Sequence, residues 1–187
     1  MDEFSYLSVL LAVILGLAIT QILQGFRGLL HAREKVVIYW PSLVWAGLVM
    51  LIAVQSWWAS FGMRHITGWT FLGFMVVLLE NICIYMVAAL VLPDFAEERH
   101  VDLRRSYFKQ APWFYGLFAL ALLLSLLKDF VLSGAFPTRL NLAFHLLFLA
   151  GSVAMILIRN DTFHKVYTLV SAALFFVYIS ELFGYLH

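Results

Sequence analysis

Apolar residues run along the chain in six blocks of about twenty, broken by short charged or aromatic stretches. The blocks cover 7–26, 37–58, 69–92, 113–132, 140–158 and 166–186. A helix rises about 1.5 Å per residue, so each block can cross the roughly 30 Å hydrocarbon core of a bilayer. In lipid the backbone must satisfy its own hydrogen bonds, and the blocks lack the dyad alternation of a membrane barrel. The pattern therefore predicts an all-α integral membrane protein: a bundle of six transmembrane helices with short loops, in a single transmembrane domain covering 1–187.

Composition agrees. Hydrophobic residues make up 64% and charged residues 12%, with mean hydropathy +0.93. A soluble globule carries about a quarter charged residues, so this chain could not cover a soluble surface. The net charge of +1 gives no pull toward nucleic acid. Cys83 is the one cysteine. That excludes an internal disulfide, a thiolate zinc site and paired-cysteine redox chemistry. Inside an apolar block it reads as a small buried hydrophobe. The start Met1-Asp2-Glu3 is acidic, whereas a secretory signal needs a basic start, so the first block is expected to persist as a membrane helix.

Basic residues orient the bundle. The loops after spans one, three and five hold Arg27, Arg33, Lys35, Arg99, Arg104, Arg105, Lys109, Arg159 and Lys165. The other side holds Arg64 and Arg139, with Lys128 near its edge. Nine against three places the basic loops in the cytoplasm and both termini on the non-cytoplasmic side. Tyr39, Trp40 and Trp113 then fall at the inner interface, and Trp57, Trp58 and Trp69 at the outer one, as two aromatic belts. The longest connection, the cytoplasmic linker 93–112, reads either as a solvated link or as a short amphipathic helix. In the second case Leu103, Tyr107 and Phe108 would face lipid.

Polar rows follow the helical repeat. Span one carries Ser8, Ala12, Gly16, Thr20, Gln24 and Gly28 at intervals of four, a spacing that lets two helices approach closely. Span four carries Ser125, Asp129 and Ser133; span five Asn141, His145 and Ser152; span six Thr168, Ser171, Tyr178, Glu181 and Tyr185. Facing lipid is expensive for each of these groups, so the rows should turn toward one another around a partly polar interior.

Glu80 is the sharpest candidate for function. It lies near the centre of span three beside Asn81, where a carboxylate costs about 3 kcal/mol even on the lenient insertion scale. His145 lies about 10 Å inside the outer end of span five, and Glu181 roughly 6–9 Å inside span six. Lys128 and Asp129 sit about one turn inside span four, where the lysine could snorkel outward or pair with an acid. Three carboxylates face one lysine and one histidine, so a carboxyl should be protonated near neutral pH or a cation should bind. Ordered by depth, Gln24 and Gln21 lie innermost, Glu80 and Asn81 centrally, His145 and Gln55 further out, then Asp129 and Glu181.

Such a series suits a proton or small-cation transporter or channel. The rival reading is a non-transporting scaffold, sensor or accessory subunit acting through helix contacts. Intramembrane catalysis ranks last, since no HExxH or GxSxG run is present. His31, His65, His100 and His164 fall in loops or at interfaces and read as ordinary surface histidines, so neither haem nor any other cofactor is expected. A divalent metal on His145, Asp129 and Glu181 would need three helices to meet. The expected partners are membrane lipid, the transported ion, and a second copy of the chain if one copy cannot enclose a pore.

Overall fold

All six apolar blocks form helices in the computed structural model, which describes residues 3–95 and 100–182. They are α1 (Glu3–His31), α2 (Trp40–Ser60), α3 (Phe71–Leu90), α4 (Leu103–Ser133), α5 (Arg139–Leu157) and α6 (Asp161–Leu182). Each is long and apolar enough to cross a membrane. Local chemistry sets their ends. Pro41 occupies the first turn of α2, where its missing N–H is harmless. The Thr70 hydroxyl accepts from Gly73 N at the start of α3, and the Asp102 carboxylate accepts from Arg104 N and Arg105 N at the start of α4. Gly134 ends α4 at φ 71°, a left-handed conformation that a side chain would strain.

Packing closes five of the helices into a ring. In order around it, α2 packs on α3, α3 on α4, α4 on α5, α5 on α6, and α6 returns to α2. The first helix stands outside this ring, against α2 and α3. Its inward face is the row Leu7, Leu11, Leu15, Ala18 and Ile22. The small-residue row lies elsewhere: Ala12, Gly16, Thr20 and Gln24 are exposed, which corrects the expected seam. Leucines release more apolar area on burial than glycine or alanine do, and their row won the interface. Thr20 satisfies its hydroxyl on the Gly16 carbonyl. Only Gly28 of that row makes a close approach, with the Phe95 ring occupying the space a Cβ would need.

The connection 93–112 also departs from expectation. From Leu103 onward it is part of α4, which runs through Pro112 without ending. Leu103 and Tyr107 are buried in the protein rather than turned to lipid. A two-residue strand β1 (Val36–Val37) pairs in parallel with β2 (Val101–Asp102), joining the loops after α1 and α3 at the same end of the bundle. Arg99 of that linker, Asp2 and Tyr185 lie outside the described residues. Tyr39, placed by its sequence position in an interfacial belt, is buried and donates its hydroxyl to Asp161 at 2.9 Å. Burial, then this hydrogen bond, raise its pKa, so the phenol stays a donor.

Candidate functional site

The five-helix ring encloses a cavity of about 380 Å³. It reaches Gly62, Met63 and Ile66 in the loop after α2, and Leu132 and Ser133 at the end of α4. From that end it runs inward to Trp45, Val87 and Phe118. No residue of α1 lines it. Residues of α2 to α6 of one chain line it.

Glu80 projects from the middle of α3 into this space, and Lys128 reaches it from α4. The lysine Nζ lies 3.0 Å from Oε1 and 2.8 Å from Oε2, with side chains 20% and 10% exposed for Lys128 and Glu80. Lys128 therefore does not snorkel outward. Its side chain reaches Glu80 instead, and pairing a buried carboxylate outweighs reaching the interface. Asp129 also lines the cavity, and none of the ion pairs among the described residues includes it. It lies within electrostatic reach of Glu80, Lys128 and His145.

The remaining wall is selective in what it offers. Asn81, 5% exposed, donates to the Val77 carbonyl of its own helix, and its Oδ1 has no partner among the described residues. His145 Nδ1 lies 2.9 Å from the Asn141 carbonyl, an acceptor only, so that nitrogen carries the proton and Nε2 keeps its lone pair in the neutral ring. Gln55, Ser125, Tyr178 and Ser171 add further polar wall, the Ser171 hydroxyl buried without a partner among the described residues, while Phe118, Phe148 and Phe175 supply apolar wall.

Six of the sequence candidates thus share one cavity: Glu80, Asn81, Lys128, Asp129, His145 and Gln55. Three do not. Gln21 and Gln24 lie on α1, on the far side of α3, where Gln21 donates to the Tyr85 hydroxyl at 3.4 Å. Glu181 is exposed at the end of α6 and does not line the cavity. The depth series is therefore not one continuous path, because depth along a helix says nothing about which face a residue occupies. No three His, Cys, Asp or Glu side chains converge as a metal site among the described residues, so the metal set His145, Asp129 and Glu181 does not form.

The inner end of the cavity is closed by groups the sequence reading passed over. Trp45 packs edge-on against Phe114, Tyr115 and Phe118, and its indole donates to Thr168 Oγ1 at 3.1 Å. Below it lies a buried chain of polar groups. His164, 0% exposed, donates from Nε2 to the Ile158 carbonyl at 2.8 Å, which leaves Nδ1 to accept from Tyr107 at 3.0 Å. Tyr107 has then used its proton, so it accepts from Tyr115 at 2.6 Å. His164 is thus not a surface histidine. It stands one turn before Thr168 and extends the polar stripe of α6, a spacing that could have revealed it. At the end of the bundle that carries the β1–β2 pair, Asp161 gathers Tyr39, Arg104 and Lys165. Comparison of the chain with protein families, curated proteins and solved structures found no match.

Proposed function

We propose that this protein is a carrier for protons or a small cation, with its binding site in the cavity bounded by α2 to α6. One observation carries the reading. A cavity entered from one end of the bundle holds a buried ion pair and a further carboxylate that joins no ion pair among the described residues. Intramembrane ionisable groups around a cavity mark ion or substrate pathways by default. The Trp45 floor favours a carrier over an open pore, because the cavity does not continue to the other end. With the basic loops in the cytoplasm, the mouth faces the non-cytoplasmic side.

In this reading Asp129 is the group that first meets an incoming cation, since Lys128 already neutralises Glu80. A cation or proton reaching Glu80 would release Lys128 and weaken the bond between α3 and α4. Carriers alternate through rearrangements of this kind about a fixed site. The test is flux in liposomes. Purified protein should move protons, sodium or potassium down an imposed gradient, and Asp129→Asn should abolish the movement while the protein remains folded. Absence of flux for all three ions would overturn the proposal.

The same ion pair favours a second reading, in which it fastens α3 to α4 in a protein that transports nothing. Replacing both partners, Glu80→Gln with Lys128→Gln, separates the two. A carrier loses flux through this change, whereas a scaffold keeps its partner binding.

A further inference from the structure

We propose that the ligand of the central cavity is a small organic ammonium ion: a protonated amine on an apolar, preferably aromatic body. This inference deepens the carrier reading and rests on it for the role of the site. Three observations converge. First, charge does not balance: Lys128 is held by both oxygens of Glu80, and Asp129 is left without an ion pair among the described residues. Second, acceptors stand among the wall atoms without a partner among the described residues, beside the Ser171 hydroxyl, which can accept as well as donate. Asn81 Oδ1 is buried and unpartnered, and His145 presents Nε2 once Nδ1 has donated to Asn141. An acceptor buried without a donor is destabilising, and a ligand N–H removes that penalty. Third, much of the remaining wall is apolar and aromatic, with Phe118, Phe148 and Phe175 along it.

A bare metal cation matches the first two observations, since amide oxygen and imidazole nitrogen also coordinate cations, but it does not match the third. About 380 Å³ equals the liquid volume of roughly a dozen waters, far more than one ion needs. It falls within the roughly 300–1,000 Å³ typical of small-molecule sites, which combine apolar walls with a few placed polar groups. An ammonium group supplies the charge for Asp129 and N–H donors for the orphaned acceptors. An attached ring fills the aromatic part, where a cation gains further from nearby ring faces.

Three probes of one shape and different charge decide the matter: 2-phenylethylammonium, 2-phenylethanol and phenylacetate. Binding to the purified full chain in lipid nanodiscs is measured by calorimetry at pH 7. The ammonium probe should bind at least about tenfold tighter than the alcohol, and phenylacetate weakest. Asp129→Asn should weaken the ammonium probe by about tenfold or more and leave the alcohol unchanged. Equal affinity for all three, preference for phenylacetate, or no binding by any of them would overturn the assignment. If Asp129→Asn does not fold, Asn81→Leu should still lower ammonium affinity selectively, and the ranking on the unaltered protein decides alone. Ammonium binding without flux would sink the carrier reading and leave the ligand class standing. Ion flux without ammonium binding would do the reverse.

Discussion

At the scale of single residues, the Glu80–Lys128 bond governs what a substitution can reveal. Glu80→Gln leaves the largely buried Lys128 without the carboxylate that holds it. Removing one member of such a pair costs about 3–5 kcal/mol, whereas replacing both is far milder. Thermal unfolding should therefore show Glu80→Gln strongly destabilised, with most of the loss recovered by adding Lys128→Gln. An acid that looked solitary along the sequence is half of a pair. A second residue-scale prediction concerns Tyr107, which both accepts from Tyr115 and donates to His164. Tyr107→Phe strands both neighbours, at about 1–3 kcal/mol for buried groups left unmade. Tyr115→Phe should cost less, since Tyr107 can still donate to His164. Unfolding midpoints of the two variants in the same detergent give the comparison.

At the scale of elements, α1 differs from the other five. It covers α2 and α3 from outside and contributes nothing to the cavity wall. Gly28→Val should loosen it, because a side chain there meets the Phe95 ring at 2.7 Å. The expected result is faster proteolysis near α1 with ligand affinity of the cavity preserved; a collapse of affinity would show that α1 shapes the site after all. The start of α4 makes a separate prediction. Asp102 accepts from two backbone N–H groups, and Asp102→Ala should lower stability by about 1 kcal/mol, read from the unfolding midpoint. The extension of α4 back to Leu103 was not visible as apolar periodicity, because Arg104, Arg105 and Lys109 share its first turns with buried Leu103 and Tyr107. Those residues are buried by the Asp161 cluster and the aromatic floor, which involve elements distant along the chain.

At the scale of the whole molecule, the arrangement gives two distinct ends: a cavity mouth at Gly62 and Ser133, and a polar clasp at Asp161. The sidedness proposed from the basic loops is checked by cysteine labelling on intact cells. Gly62→Cys and Ser133→Cys should react with a membrane-impermeant reagent applied outside, whereas Lys35→Cys and Arg159→Cys should react only after permeabilisation. Native Cys83 is buried and should stay silent. The reverse pattern would invert the bundle and place the mouth in the cytoplasm.

Sequence alone determined that the chain crosses a membrane, and approximately where. Twenty-residue apolar blocks leave lipid as the only medium that can cover them, and the lone backbone solution for each is a helix. It also marked Glu80, Asn81, Asp129 and His145 as out of place in hydrocarbon. Only the tertiary structure decided which of these groups meet. Helices five residues or a hundred residues apart can become neighbours, and rotation of each about its axis selects which face turns inward. That rotation brought Lys128 to Glu80, sent Gln21, Gln24 and Glu181 elsewhere, buried His164, and turned the leucines of α1 rather than its small residues toward the protein.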